Sequence, residues 1–210
     1  MSILSTLVVW ALVTGTLLVT PLWSLDPINP IKMLAVSSVG FMALGVLLAN
    51  QKSLQLGRFK APLILISGFM VWQLVVLVVS GGEILQQLFG TNGRNTGLIT
   101  YFAFSILFVV TLVASSNMFL NRFLITALIV GVASLSYGVI QAVGADPFDW
   151  VNQYSPVFGF LGNPNFQSSL LGILGAVVFT QLLSGSVKTQ IKGAYLVYLL
   201  VTVYVIRETA

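Results

Sequence analysis

Residues 62–80 read PLILISGFMVWQLVVLVVS, and from Pro62 to Ser80 there is no Asp, Glu, Lys or Arg. An α-helix needs about 20 mostly apolar residues to cross the hydrocarbon core of a bilayer. In lipid the backbone must pair its own N–H and C=O groups, which leaves helices or closed barrels, and a run without strict alternation favours the helix. The stretch is therefore expected to be a membrane-spanning helix, with Gln73 as its one amide side chain.

Comparable apolar runs lie on both sides of it, at Ile3–Trp23, Met33–Ala49, Gly97–Ser116, Phe123–Val143, Gln167–Ser184 and Gly193–Ile206. The expected fold is all-α: a polytopic transmembrane helix bundle of about seven spans, forming a single transmembrane domain over residues 1–210. The first run lacks a basic leading segment and exceeds the roughly 7–15-residue core of a cleaved signal peptide. It is read as a retained span.

Composition agrees. Of 210 residues, 57% are hydrophobic and 7% are charged, against about 25% charged in ordinary soluble domains. Nine basic and five acidic residues cannot coat a soluble core of this size. The basic residues are scattered thinly between apolar runs, which argues against a nucleic-acid footprint. There is no cysteine and no histidine, so disulfides and thiolate metal sites are excluded and the commonest metal ligand and general base are missing. Nothing in the sequence points to a metal or a cofactor.

The charges give an orientation. Lys52, Arg58 and Lys60, then Arg122, then Lys188 and Lys192 fall on one side of the spans. Asp26, Glu83, Asp146, Asp149 and Glu208 fall on the other, with only Lys32, Arg94 and Arg207 as basic residues there. By the positive-inside rule the first side is cytoplasmic. The N-terminus is then cytoplasmic, and the terminal Arg207-Glu208-Thr209-Ala210 lies at the outer face. With no polar tail or closing cap after it, the chain is expected to be the N-terminal part of a longer protein.

The outer segments hold the candidate chemistry. Gly90-Thr91-Asn92-Gly93-Arg94-Asn95-Thr96-Gly97 leads into a span, and Asn95 or Thr96 is placed to cap that helix beside the Arg94 guanidinium. A helix N-terminus next to a guanidinium suits an anion, above all a phosphate. Gly162-Asn163-Pro164-Asn165 repeats the logic, with Asn at the N-cap and Pro at the first helical position. A third span starts after Pro27-Ile28-Asn29-Pro30, with Lys32 near its first turn. Other roles compete: Arg94 and Arg207 also fit basic residues that snorkel to the headgroups, and Asn163 and Asn165 fit turn formers. The aromatic-rich segment Gly144–Asn165 fits either an interfacial anchor or a lid. No ionisable side chain falls near a midplane, which weakens a transporter. Gly131, Ser134, Ser136 and Gly138 are read as small residues that let helices approach.

Two of these stretches carry a resemblance. Phe89-Gly90-Thr91-Asn92-Gly93-Arg94-Asn95-Thr96-Gly97-Leu98 resembles an outer loop of the O-antigen ligase and polymerase superfamily of bacterial envelope glycosyltransferases. Phe158-Gly159-Phe160-Leu161-Gly162-Asn163-Pro164-Asn165-Phe166 looks like that family's Gly-Asn-Pro-Asn segment, which also opens a span. The likeness covers most of this chain but about the N-terminal half of a typical member. It implies a multi-pass protein of the bacterial cytoplasmic (inner) membrane, active in cell-envelope polysaccharide or lipopolysaccharide biosynthesis. Its ligands would be a polyprenyl-pyrophosphate-linked glycan, such as an undecaprenyl-pyrophosphate one, and a lipid or protein glycan acceptor, amid membrane lipids and without a metal ion. Arg94 would then be a pyrophosphate ligand, with Asn95, Asn163 and Asn165 beside it, and Arg207 resembles an arginine ending the corresponding span. The family's catalytic histidine has no counterpart here, so the truncated chain alone is expected to be inactive and no catalytic residue is assigned. The rival readings are a transporter or flippase for a lipid-linked sugar and a non-catalytic membrane scaffold.

Overall fold

The computed structural model describes residues 3–20, 26–50, 56–148, 150, 155, 157–184 and 187–209. Trp23, Lys52, Asp149 and Ala210, which entered the expectations above, lie outside the described residues, as do Tyr154 and Pro156 of the aromatic-rich segment. Eight α-helices follow in order: α1 (Ile3–Leu17), α2 (Asn29–Ala49), α3 (Lys60–Val79), α4 (Ile84–Phe89), α5 (Leu98–Ala114), α6 (Asn117–Ala142), α7 (Pro164–Leu183) and α8 (Thr189–Glu208). A 3-10 turn, Leu56–Phe59, leads into α3. There is no strand among the described residues.

Five helices are long and apolar enough to cross a membrane: α2, α3 with its leading turn, α6, α7 and α8. The other two apolar runs form shorter helices, 15 residues in α1 and 17 in α5. A helix thus lies at every expected span, though α1 stops at Leu17 short of the expected end, and other boundaries move where side chains cap them. Helix α2 begins at Asn29 rather than Met33, because the Asp26 carboxylate accepts the N–H groups of Ile28 and Asn29 at 3.1 and 3.0 Å and Pro30 suits a first turn. Helix α6 begins at Asn117 rather than Phe123, where Ser116 Oγ accepts the Phe119 N–H at 3.2 Å. Arg122 therefore lies inside a helix, not in a loop. Helix α8 extends past both expected ends and takes in Lys192 and Arg207. The short helix α4 has no counterpart among the expected elements.

The chain divides into two compact units, Met1–Leu124 and Ile125–Ala210. In the first, α1, α2 and α5 pack around Leu4, Leu7, Val8, Ala43, Leu47, Ile106 and Val110, with Phe119 from the start of α6. The α2 and α5 backbones come so close that a Cβ on Gly40 would meet the Ala103 Cα at 3.0 Å. Such contact through small residues is how helices gain dispersion energy where lipid removes the hydrophobic drive. Helix α3 leans on α5 and buries none of its own side chains.

The second unit packs α7 on α8, with the rest of α6 beside them. Gly131 and Gly138 allow close approach as expected, since added Cβ atoms would meet Leu174 Cδ1 at 2.6 Å and Val205 Cγ1 at 2.8 Å. Ser134 is buried and donates to Gln167 Oε1 at 3.0 Å. Ser136 is exposed and takes no part in this packing. Part of the described aromatic segment turns into the unit's interior, while Phe148 stays exposed. Val157 and Phe158 are buried, Tyr137 stacks on Phe160 at 4.4 Å, and the buried Gln141 Oε1 accepts the N–H groups of Phe158 and Gly159 at 3.1 and 2.8 Å. A buried amide with two backbone donors to satisfy outweighs the preference of aromatic rings for the headgroup layer.

Candidate functional site

In the first unit, the C-terminal end of α1, the start of α2, α4 and the start of α5 gather at one end. The loop carrying Arg94 is built there by local chemistry. Gly90 donates its N–H to Gln86 O at 2.8 Å to close α4, and Thr91 O accepts the N–H groups of Arg94 and Asn95 at 3.1 and 3.0 Å. Asn95 is left-handed, with φ 51°, a conformation that Asn tolerates better than most residues. Its carbonyl accepts the Thr100 hydroxyl at 2.9 Å.

Neither Asn95 nor Thr96 caps α5, contrary to expectation. Gly97 holds that position without a side-chain hydrogen bond. The reason is steric: a Cβ on Gly97 would collide with the backbone of Leu88 and with Gly90 N, so the chain passes α4 at a point where only glycine fits. The helix starts only after that crossing. Its first N–H groups have no intrahelical acceptor and no capping side chain.

The loop is tethered to α2 by a contact the sequence analysis missed. Asn29 Nδ2 donates to Gly93 O at 2.8 Å and to Asp26 Oδ2 at 3.0 Å, so one amide joins the α2 start to the residue before Arg94. The three-residue spacing of Asp26 and Asn29 is that of a reciprocal capping pair and was the available signal. Asn29→Ala is expected to lower stability by about 1 kcal/mol. It should also speed modification of a cysteine placed at Asn92, and unchanged reactivity there would mean that the tether does not hold the loop.

Between α1, α2 and α5 lies a cavity of about 490 Å³. Its polar end is formed by Asn29, Lys32, Arg94, Asn95, Thr96 and Thr100. The rest is apolar, lined by side chains such as Val8, Leu12, Val36, Phe104, Leu107 and Phe108. From Thr100 to Thr111 along α5 the lining runs for roughly 16 Å at the rise of an α-helix. Lys32 Nζ donates to Thr16 O at 2.7 Å, placing its charge at the C-terminal turn of α1 and at the cavity wall. The Arg94 guanidinium is exposed and meets no carboxylate among the described residues. Asn95 Oδ1 is buried without a hydrogen-bond partner, so its amide is uncommitted.

The remaining expected site residues fall in the second unit. Asn163 is the N-cap of α7, its Oδ1 accepting the N–H groups of Asn165 and Phe166 at 2.9 and 3.4 Å, with Pro164 in the first turn as the sequence implied. Asn165 is exposed, and its carbonyl accepts the hydroxyls of Ser168 and Ser169 at 3.1 and 2.7 Å. Arg207 is exposed in the last turn of α8. A Cβ on Gly138 would contact both Val205 and Gln167, so the α7 start and the α8 end share one end of this unit. The structure thus brings Arg94 and Asn95 together with Lys32, which was not among the expected ligands, and groups Asn163, Asn165 and Arg207 in the other unit. The oxygen of Asn163 is committed to its helix.

No protein-family model, no curated protein and no solved structure matches the chain.

Proposed function

We propose that the first unit binds a polyprenyl pyrophosphate bearing a glycan, as the membrane part of a glycosyltransferase of the kind its loop sequences resemble. The observation that carries this reading is the cavity itself: two cationic side chains at one end of a long apolar groove match a diphosphate on an isoprenoid chain. Transfer of the glycan would break its bond to the diphosphate, which gains negative charge as it leaves. In this reading Arg94 and Lys32, which both line the cavity, stabilise that charge. The acceptor's base is assigned to no residue of this chain.

In this reading α1 and α5 also cross the bilayer, giving seven spans in the bacterial cytoplasmic membrane with Arg94 at the outer face and Lys188 at the inner one. The chain has no cysteine, so single cysteines report cleanly. A membrane-impermeant maleimide should label Thr91→Cys in intact cells and Lys188→Cys only after the membrane is opened. The reverse pattern would remove the site from the face where lipid-linked glycans are used.

Binding is tested directly with the purified chain in nanodiscs. Native mass spectrometry should show undecaprenyl pyrophosphate retained in preference to undecaprenol and to phosphatidylglycerol. Equal retention of all three would reduce the cavity to an ordinary lipid crevice.

A further inference from the structure

A second cavity, of about 410 Å³, lies in the same unit against α3, α4 and α5, and Arg94 and Thr96 line it as well as the first. Its volume is within the roughly 300–1,000 Å³ of small-molecule sites. Its chemistry is different. Where the first cavity is walled mainly by aliphatic and phenyl groups, this one presents Gln73, Gln86, Thr91 and Tyr101 around Arg94 and carries no carboxylate.

These polar groups are unused by the fold. Gln87, also on the wall, is committed: its Nε2 donates to Gly82 O at 2.7 Å and its Oε1 accepts from Ser80 Oγ at 2.8 Å. The amides of Gln73 and Gln86 and the hydroxyl of Tyr101 have no hydrogen-bond partner among the described residues. Gln73 is the more telling, because it sits roughly 9 Å below the end of α3 at the rise of a helix. That helix has no other amide side chain and is long and apolar enough to span a bilayer. An amide at that depth is costly unless something pairs with both its N–H and its C=O. Tyr101 is 40% exposed, and its ring meets that of Phe69 edge to face at 6.0 Å, which leaves its hydroxyl beside these groups without a partner among the described residues.

We infer that this second cavity holds the sugar next to the diphosphate, and that it takes a neutral sugar rich in hydroxyl or acetamido groups. The inference rests on the function proposed above. Amides and hydroxyls that both donate and accept match such a sugar, and with Arg94 engaged by the diphosphate the lining offers no second charge to an acidic one. Arg94 forms the wall between the compartments, so a diphosphate at its guanidinium would have its isoprenoid on one side and its sugar on the other.

The test compares two ligands in nanodiscs: undecaprenyl pyrophosphate, and the same lipid carrying one N-acetylglucosamine. Gln73→Leu and Gln86→Ala should each weaken binding of the sugar-bearing lipid by roughly tenfold, the size of one or two lost hydrogen bonds, and leave the sugar-free lipid unchanged. Leucine at Gln73 is compatible with a lipid-facing helix, so the variant is expected to fold. Losses of the same factor for both ligands, or for neither, would overturn the sugar site while leaving the diphosphate site standing. Failure of the unmodified protein to bind either ligand would overturn both.

Discussion

On the function proposed above, Arg94→Ala is expected to weaken binding of undecaprenyl pyrophosphate by roughly ten- to sixtyfold, equivalent to about 1.5–2.5 kcal/mol for a charge-assisted hydrogen-bonded contact at a partly open site. In a longer protein that contains this unit, the same reading expects glycan transfer to fall at least as far, because the lost interaction strengthens as the diphosphate departs. The side chain makes no hydrogen bond or ion pair among the described residues, so its removal should leave folding and membrane insertion unchanged. Arg94→Lys should recover only part of the affinity, since an ammonium keeps the charge but loses the planar fork that meets two phosphate oxygens together. Full affinity in the alanine variant would remove Arg94 from the site, and with it the main support for a diphosphate ligand.

Gly97→Ala acts on the same site through the backbone. The added methyl would lie within the carbonyl of Leu88 and the amide of Gly90, neither of which can swing aside as a side chain could. The α4 and loop segment must shift, at an expected cost of about 3 kcal/mol, the upper end of ordinary overpacking. Thermal unfolding in detergent measures it, and ligand affinity should fall as Arg94 is displaced. Gly93→Ala is the control: Gly93 has φ +84° but nothing within 4 Å of an added Cβ. It should cost only the left-handed backbone penalty of about 1 kcal/mol. Equal destabilisation by the two substitutions would show that the crossing at Gly97 is not tight.

The helices were legible because a long apolar run without charge has few other outcomes in a chain this poor in polar residues. The Asn163-Pro164 start of α7 was legible because its signal is local. The start of α5 was not: the choice between Asn95, Thr96 and Gly97 is made by the collision with Leu88, which belongs to another helix. The tie between Asn29 and Gly93 spans 64 residues and leaves no periodic trace. The inward turn of Val157 and Phe158 was hidden for a similar reason, since it depends on a glutamine from α6. Lys32 was visible in the sequence as a charge near a helix start. Its place beside Arg94 required the packing of α1 against α2.

Helix α3 buries none of its residues, so tertiary contacts contribute little to keeping it upright. In the proposed membrane-spanning arrangement its tilt then responds to the hydrophobic thickness of the bilayer as well as to its contact with α5, through mismatch costs of fractions of a kcal/mol per Å. Because Gln73 rides on α3 and Tyr101 on α5, a thinner or thicker membrane would spread or narrow the space between them. Lipid composition would thereby set how easily that compartment fills.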